Sequence, residues 1–573
     1  MKFRLTIVLT AALALAGLSA TASPAASGPP RSFVSPSLLA KAHDSPNARV
    51  RVIVQGSSVA AAASAVASAG GLADGDQVGR KLGIVHAVVA EMKAKRVAKL
   101  TDALGLAVTP DGQVAATDLL PPLPPPPSLS SSQLWPYESG NAQLWSSVDS
   151  APGMPTIAVV DSGIDTTAPD VAGRVIASVD LASATPNSPG DGRGHGTFVA
   201  GIAAGSAGGH AGAAPGSKLV SVDVLNDDGM GWTSDIIAGA DWILAHKDQY
   251  GIRIANFSLS GSAESTFMYD PLDKAVERLW LSGVVVVAAA GNYGNGAQGI
   301  VKYSPANDPF VITVGAADLA GTASPSDDFA APWSAYGFTY DGFRKPEVGA
   351  SGRYMIGRVP TGSTLVSERP ESIVSPGYMQ LSGTSFAAPV VSGSAAHVLA
   401  LHPEYTPDQV KGALMVTARP TLAASWSLGL GETDAVLAAT VANPPNPNQA
   451  LEAYVAGGTF DADAWQQAAQ DNANWNQANW NQANWNSANW NAANWNSANW
   501  NQANWNQANW NSANWNQANW NQANWNQANW NQSAAEDAAR EQAATGEAIT
   551  GGYALTPEQA AALAVDPLLS PLP

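Results

Sequence analysis

The run TIAVVD, residues 156 to 161, carries apolar or β-branched residues at nearly every position before it ends on an acid. A strand with one wet face alternates apolar and polar residues. A strand apolar on both sides must be covered twice, as the strands of a parallel sheet are by helices. Four later runs repeat the pattern: KLVSVDVL (218–225), IRIANFSL (252–259), VVVVAAAG (284–291) and FVITVGA (310–316), with helical stretches between them. From about Pro155 to Ala439 this predicts an α/β domain, a doubly wound, mostly parallel sheet with helices on both faces. Such sheets meet their ligands at the carboxyl ends of the strands, so chemistry is sought there.

Four residues stand at suitable places. Asp161 closes the first run and is followed by Ser162 and Gly163. Taken singly it reads equally as an Asx-turn or a helix cap. His195 lies in GDGRGHGTFVAGIAAG (190–205), with glycine on either side and an apolar helix behind it. A histidine at a helix start is often structural, and the crowding by glycine leaves room around the ring. Asn292 follows the fourth run, and loop asparagine alone says little. Ser385, in LSGTSFAAP (381–389), precedes a long apolar stretch. There it serves either as a cap of orphan N–H groups or as a nucleophile backed by a helix dipole.

Together the four fill the roles of acyl transfer: a nucleophile, a base to take its proton, an acid to hold the base, and a donor for the oxyanion. Their order along the chain, Asp then His then Ser, is one of the known orders of that machinery. The segments AVVDSGID, GRGHGTFVAGIAAG, AAAGN and SGTSFAAPVVSG resemble the Asp, His, oxyanion-Asn and Ser blocks of the subtilisin-like serine proteases. The resemblance covers about residues 150 to 440. It implies Ser385 as nucleophile, His195 as general base and then acid, and Asp161 as the group that orients the imidazole. Asn292, with the backbone N–H of Ser385, would bind the oxyanion. NFSLSG, with Ser258, Leu259 and Ser260, resembles one strand of the substrate cleft; DGMG, with Gly229 and Gly231, resembles the other. A peptide would lie between them as an added strand. Ser260 stands where the family usually has glycine, and its side chain would narrow the primary specificity pocket. A sedolisin-like acid peptidase shares an SGTS block but uses Glu in place of His, so His195 counts against it.

The rest of the chain predicts an exported zymogen. Lys2 and Arg4, the apolar run Leu5–Leu18 and the small residues Ala20, Thr21 and Ala22 form a secretory signal over residues 1–22. Residues 23–118 read as a small α+β module, in which RVRVIVQG (49–56) has the alternation of a half-buried strand. This module resembles the family's propeptide, an intramolecular inhibitor. The proline-rich stretch LLPPLPPPPSLSSS (119–132) opens a linker and processing region over 119–150, the peptidase domain follows over 151–441, and a second linker is read over 442–471. There is no cysteine, so stability rests on a large core and leaves room for bound ions, although no calcium ligands are legible. No cofactor is called for by the chemistry. With 46 acidic and 28 basic residues, a net charge of -18, the chain has no nucleic-acid footprint.

Residues 472–533 carry twelve tryptophans at period five, Trp475 to Trp530, without a charged side chain, before a tail over 534–573. A period of five turns each indole by about 140° on a helix and flips it across a strand, so neither element gathers the array on one face. A low-complexity, self-associating segment and a square coil resembling pentapeptide-repeat proteins both stay open, with a cell-surface or polymer ligand as the expected partner. The leading expectation is a secreted, extracellular and surface-retained endopeptidase acting on proteins or peptides. The competing one is an adhesin that uses the protease domain as a scaffold.

Overall fold

The computed structural model describes residues 32–70, 77–116, 134–149, 153–264, 266–294, 301–322, 324–423 and 427–465. The signal, the proline-rich run, the tryptophan array and the tail lie outside the described residues.

All five apolar runs form strands of one eight-stranded sheet: Thr156–Asp161, Leu219–Asp223, Ile252–Phe257, Val285–Ala289 and Ile312–Asp318. Pairing among these five is parallel throughout. Every residue of Thr156–Asp161 and of Val285–Ala289 is buried, which is the two-sided cover that their composition required. One helix pair on the sheet is Thr384–Leu401 with His195–Ala204, and another is Thr233–Tyr250 with Pro271–Leu281. Val175–Asp180 completes one edge and alternates half-buried with exposed residues, a pattern of one-sided cover.

The amino-terminal module is a separate five-stranded sheet, ordered Phe33–Val34, Ala107–Pro110, Arg49–Gln55, Ala87–Lys93, Gln77–Leu82, with helices Pro36–Asp44 and Val59–Ser68. Ser58 caps the second helix by accepting from the N–H of Ala61. Strand alternation divides this sheet between two cores. Val52, Val54, Val88, Ala90 and Met92 point into the module's own interior, while Ile53, Ala87 and Val89 join the large core of the main domain. The half-buried strand expected at 49–56 is therefore covered on its second side by another domain, and Ile53 is fully buried. Polar contacts fix the docking: Gln55 donates to the Tyr269 carbonyl at 3.0 Å, Asp241 accepts from the Gly83 N–H at 2.9 Å, and Arg80 pairs with Asp235. Asp111 accepts from the N–H of Ser234 at 2.8 Å, in the first turn of Thr233–Tyr250. Burial pushes its carboxyl up in spite of the adjoining Arg51.

Two boundaries read from composition need correction. Leu134–Asp149, assigned to the linker, includes short helices, with Trp135 and Asn141 buried against the domain. Residues 449–465, assigned to the second linker, add the helix Gln449–Glu452 and the hairpin Val455–Ala456 with Thr459–Phe460. Leu451, Phe460 and Trp465 belong to the main core, and Trp465 meets Phe267 edge-on at 5.5 Å between ring centroids. Proline and asparagine break regular structure without preventing a few apolar anchors from docking.

Candidate active site

Asp161 is the last residue of its strand, and His195 is the first of its helix. The turn before His195 depends on Gly194, whose φ of +93° is left-handed and whose absent Cβ would lie 2.5 Å from Ser363 Oγ. His195 Nδ1 lies 2.6 Å from Asp161 Oδ1, and both side chains are fully buried. A carboxylate can only accept, so the proton sits on Nδ1, and Nε2 carries the lone pair. The Asp161 carboxylate is itself oriented, since the same oxygen accepts the Ser162 N–H at 2.8 Å.

Ser385 is the second residue of Thr384–Leu401, behind Gly383, so the helix N-terminus faces the same place as its hydroxyl. The Ser385 hydroxyl donates to the Ser258 carbonyl at 3.0 Å, and the Ser258 hydroxyl donates to the Ser385 carbonyl at 2.7 Å. The Ser385 backbone is thus tied to the strand end of NFSLSG. Asn292 spends its carbonyl on Thr384, accepting from the N–H at 2.9 Å and the hydroxyl at 3.0 Å. Its NH₂ end is then the end able to face an oxyanion.

The two segments expected to line a cleft are strands, Met230–Trp232 and Leu259–Gly261, and the space between them is filled. Gln113–Ala116, the end of the amino-terminal module, pairs antiparallel with both. Ala115 lies opposite Met230 on one side and Ser260 on the other, and the Ala116 N–H donates to the Gly229 carbonyl at 3.0 Å. Gly231 has to be glycine, because a Cβ there would sit 2.3 Å from the Val224 carbonyl oxygen.

Sequence reading missed the groups behind these. Asp191 accepts from the N–H groups of Gly194 and Thr197 at 2.7 Å each and from the Ser162 hydroxyl at 2.9 Å. It locks the start of the histidine helix to the strand end that carries Asp161. Burial is the main cause that pushes its carboxyl up to about 6, against the lowering effect of those bonds. An acid ahead of a helix start was the available signal. Asn256 donates to the Ser258 hydroxyl at 2.8 Å and accepts from Ser392, a contact with no pattern in the sequence.

Residues 154–457 match the sequence profile of the subtilase family, more than half of the chain. The chain belongs to the subtilase family. Its relatives include serine protease AprX of Bacillus subtilis, 40% identical over 265 residues, or 45% of this chain and 59% of that protein. Subtilisin of Bacillus pumilus is 36% identical over 278 residues, covering 48% of this chain and 87% of that one. The chain thus spans about three fifths of the first of these relatives. Among solved structures, fervidolysin of Fervidobacterium pennivorans, described as a keratinolytic enzyme related to subtilisin, has a TM-score of 0.56 at 24% identity over 73% of this chain and 64% of that one. That likeness establishes the fold. The subtilase domain is of the serine-type endopeptidase class, and these relatives give no support to a scaffold-only adhesin.

If Asn292 donates to the oxyanion, Asn292→Ala lowers kcat by about 10² to 10³, the range known for the equivalent donor in subtilisin. KM should move little, because the bond strengthens only in the transition state. A variant with unchanged kcat and a raised KM would assign Asn292 to substrate binding instead.

Proposed function

We propose that this chain is a secreted serine endopeptidase, made as a zymogen whose amino-terminal module blocks its own cleft. Ser385 is the nucleophile: its Oγ bonds to the substrate carbonyl carbon while its proton passes to His195 Nε2. Asp161 holds the imidazole in the accepting tautomer and stabilises the imidazolium that forms. The Asn292 amide and the Ser385 N–H receive the negative oxygen. His195 then returns the proton to the leaving amine, and water releases the acyl group by the reverse path.

The observation that carries this reading is the strand Gln113–Ala116, held between Met230–Trp232 and Leu259–Gly261 as a peptide substrate would be. Added-strand pairing reads the backbone of a peptide and leaves side-chain choice to the pockets. Ser258, Leu259, Ser260, Gly229 and Gly231 are the walls in this account, and Ser260 narrows the primary pocket. The paired strand runs to Ala116, opposite Leu259, and self-cleavage in this account falls at one of the first peptide bonds after it.

The test is reaction of the mature protein with a fluorophosphonate probe. Labelling at Ser385, located by peptide mapping, and a new amino terminus at Thr117 to Leu119 are the expected results. A folded, processed protein that fails to label at Ser385 removes the triad assignment.

The twelve tryptophans serve retention, on a surface, on a polymer or by self-association, since stacking indoles in an uncharged frame do nothing for peptide hydrolysis. Truncation after Asp471 is therefore expected to leave turnover of soluble peptides unchanged and to abolish pull-down on insoluble cell-wall material. Truncation after Thr440, which removes Leu451, Phe460 and Trp465 from the core, is expected to destabilise the domain. Loss of peptide turnover in the protein cut after Asp471 would make the array part of the catalytic fold.

A further inference from the structure

We propose that Glu138, Asp328 and Glu432 form a site for a divalent, oxygen-seeking cation of the calcium type, which staples three remote segments of the protease domain together. The inference goes beyond proteolysis and holds whether or not the chain cleaves peptides. One carboxylate oxygen from each residue lies within 4.8 Å of the others. The three side chains come from different parts of the chain. Glu138 ends the helix Trp135–Glu138, Asp328 precedes the edge strand Phe329–Ala330, and Glu432 bridges to Gly349 and Arg419.

Acidic clusters on a surface mean little, because water and salt dissipate their repulsion. This one is interior: Glu138 is 4%, Asp328 0% and Glu432 1% exposed. A second observation is independent of the clustering. Both carboxylate oxygens of Asp328 and both of Glu432 are buried and accept from no N–H or hydroxyl donor, and the contacts among them are carboxyl to carboxyl. Buried carboxylates are normally paired, hydrogen-bonded or bound to a metal, and an unsatisfied one carries the cost of its lost hydration. The cation at hand, Arg419, is engaged with Glu138, through its carboxylate and through its carbonyl at 2.6 Å.

Charge decides what is missing. Three carboxylates against one guanidinium, which Asp434 also shares at 3.5 Å, leave at least two negative charges uncompensated, and one divalent ion supplies two positive ones. The other way to relieve them is to bind protons. Burial first pushes Asp328 up to about 7, with the charges of Glu138 and Asp327 adding to it against the lowering contact with Glu432, and burial with the charges of Glu138 and Asp328 pushes Glu432 well above the ordinary range. The donors are all hard oxygens, up to six from three carboxylates, with no imidazole or thiolate. That set suits calcium, which accepts irregular oxygen cages, better than magnesium, which demands a near-ideal octahedron, or zinc.

An ion that binds the folded chain and not the unfolded one raises stability by mass action, and here it would do so in a protein without a disulfide. The site also grips Leu134–Asp149, the segment through which the chain enters the protease domain after the module. Ser139, next to Glu138, accepts from the Ala435 N–H at 2.9 Å, so the same segment is tied to the stretch that carries Glu432.

The experiment uses the full chain carrying Ser385→Ala, to suppress self-digestion, with equilibrium dialysis against radioactive calcium and thermal unfolding in CaCl₂, MgCl₂ or chelator. The parent is expected to bind one calcium ion more than the Asp328→Asn, Glu432→Gln double variant. The rise in unfolding midpoint with CaCl₂ should shrink in that variant, and MgCl₂ should not reproduce it. A third protein guards against a double variant that fails to fold: Arg419→Gln removes the competing positive charge and should bind calcium about tenfold more tightly. Equal calcium stoichiometry in parent and double variant overturns the proposal, as does unchanged or weaker calcium binding by Arg419→Gln. A double variant more stable than the parent at neutral pH, with the same calcium response, would establish shared protons in place of the ion.

Discussion

Ser385→Ala is expected to lower peptide turnover about 10⁶-fold, the loss that follows removal of the nucleophile in subtilisin itself. The size reflects how the machinery is shared. Without the hydroxyl, His195 has no proton to take, and the Asp161–His195 pair has nothing to activate. What remains is the small rate supplied by the oxyanion donors and by binding. The same change should leave an intact precursor, since the strand Gln113–Ala116 already sits in the cleft and lacks only an attacking group. The fold should survive, because Ser258 holds the Ser385 carbonyl, a backbone contact that alanine keeps. Turnover of a chromogenic peptide and intact mass of the purified chain check both halves. If the variant alone in vitro still releases its module at the normal rate, either the nucleophile or the route of processing has been misassigned.

The central strands were legible because burial on two faces leaves a mark that few other environments produce, and Thr156–Asp161 and Val285–Ala289 carry it throughout. The residues proposed as catalytic stood out for a related reason. They stand at strand ends and helix starts, set apart from the apolar runs, with glycine where Gly194 must take a left-handed turn. Less was legible where the determinant is a partner outside the element. RVRVIVQG has the period of a strand with one covered face, and nothing in it says that Ile53 is covered by a second domain. Val175–Asp180 lies at an edge, and its three half-buried residues are too few to mark it as a strand. Residues 449–465 combine a proline-rich approach with sparse anchors, and only contact with Phe267, Phe310 and the domain core explains why Phe460 and Trp465 are buried. The cluster of Glu138, Asp328 and Glu432 is beyond any local reading, because about a hundred residues or more separate each member from the next.

Asp161→Asn should lower turnover by about 10⁴, a loss known from other members of the Asp-His-Ser class, with KM nearly constant and the fold intact. Asp161 Oδ1 accepts from both His195 Nδ1 and the Ser162 N–H, so an asparagine has two ways to sit. With its NH₂ toward the ring it forces His195 Nδ1 to accept. The ring proton then moves to Nε2, and the base is in the wrong tautomer. With its carbonyl toward the ring the tautomer is kept, but the neutral amide no longer stabilises the imidazolium that forms when Ser385 gives up its proton, in a site where both partners are fully buried. Each arrangement raises the barrier to the same proton transfer, and neither removes a contact to the bound peptide. The measurement is kcat and KM on one soluble peptide, with thermal unfolding of the same preparation to verify the fold. A folded variant whose kcat stays within about tenfold of the wild type would mean that the charge of Asp161 does little for catalysis, and that its 2.6 Å bond to His195 is structural.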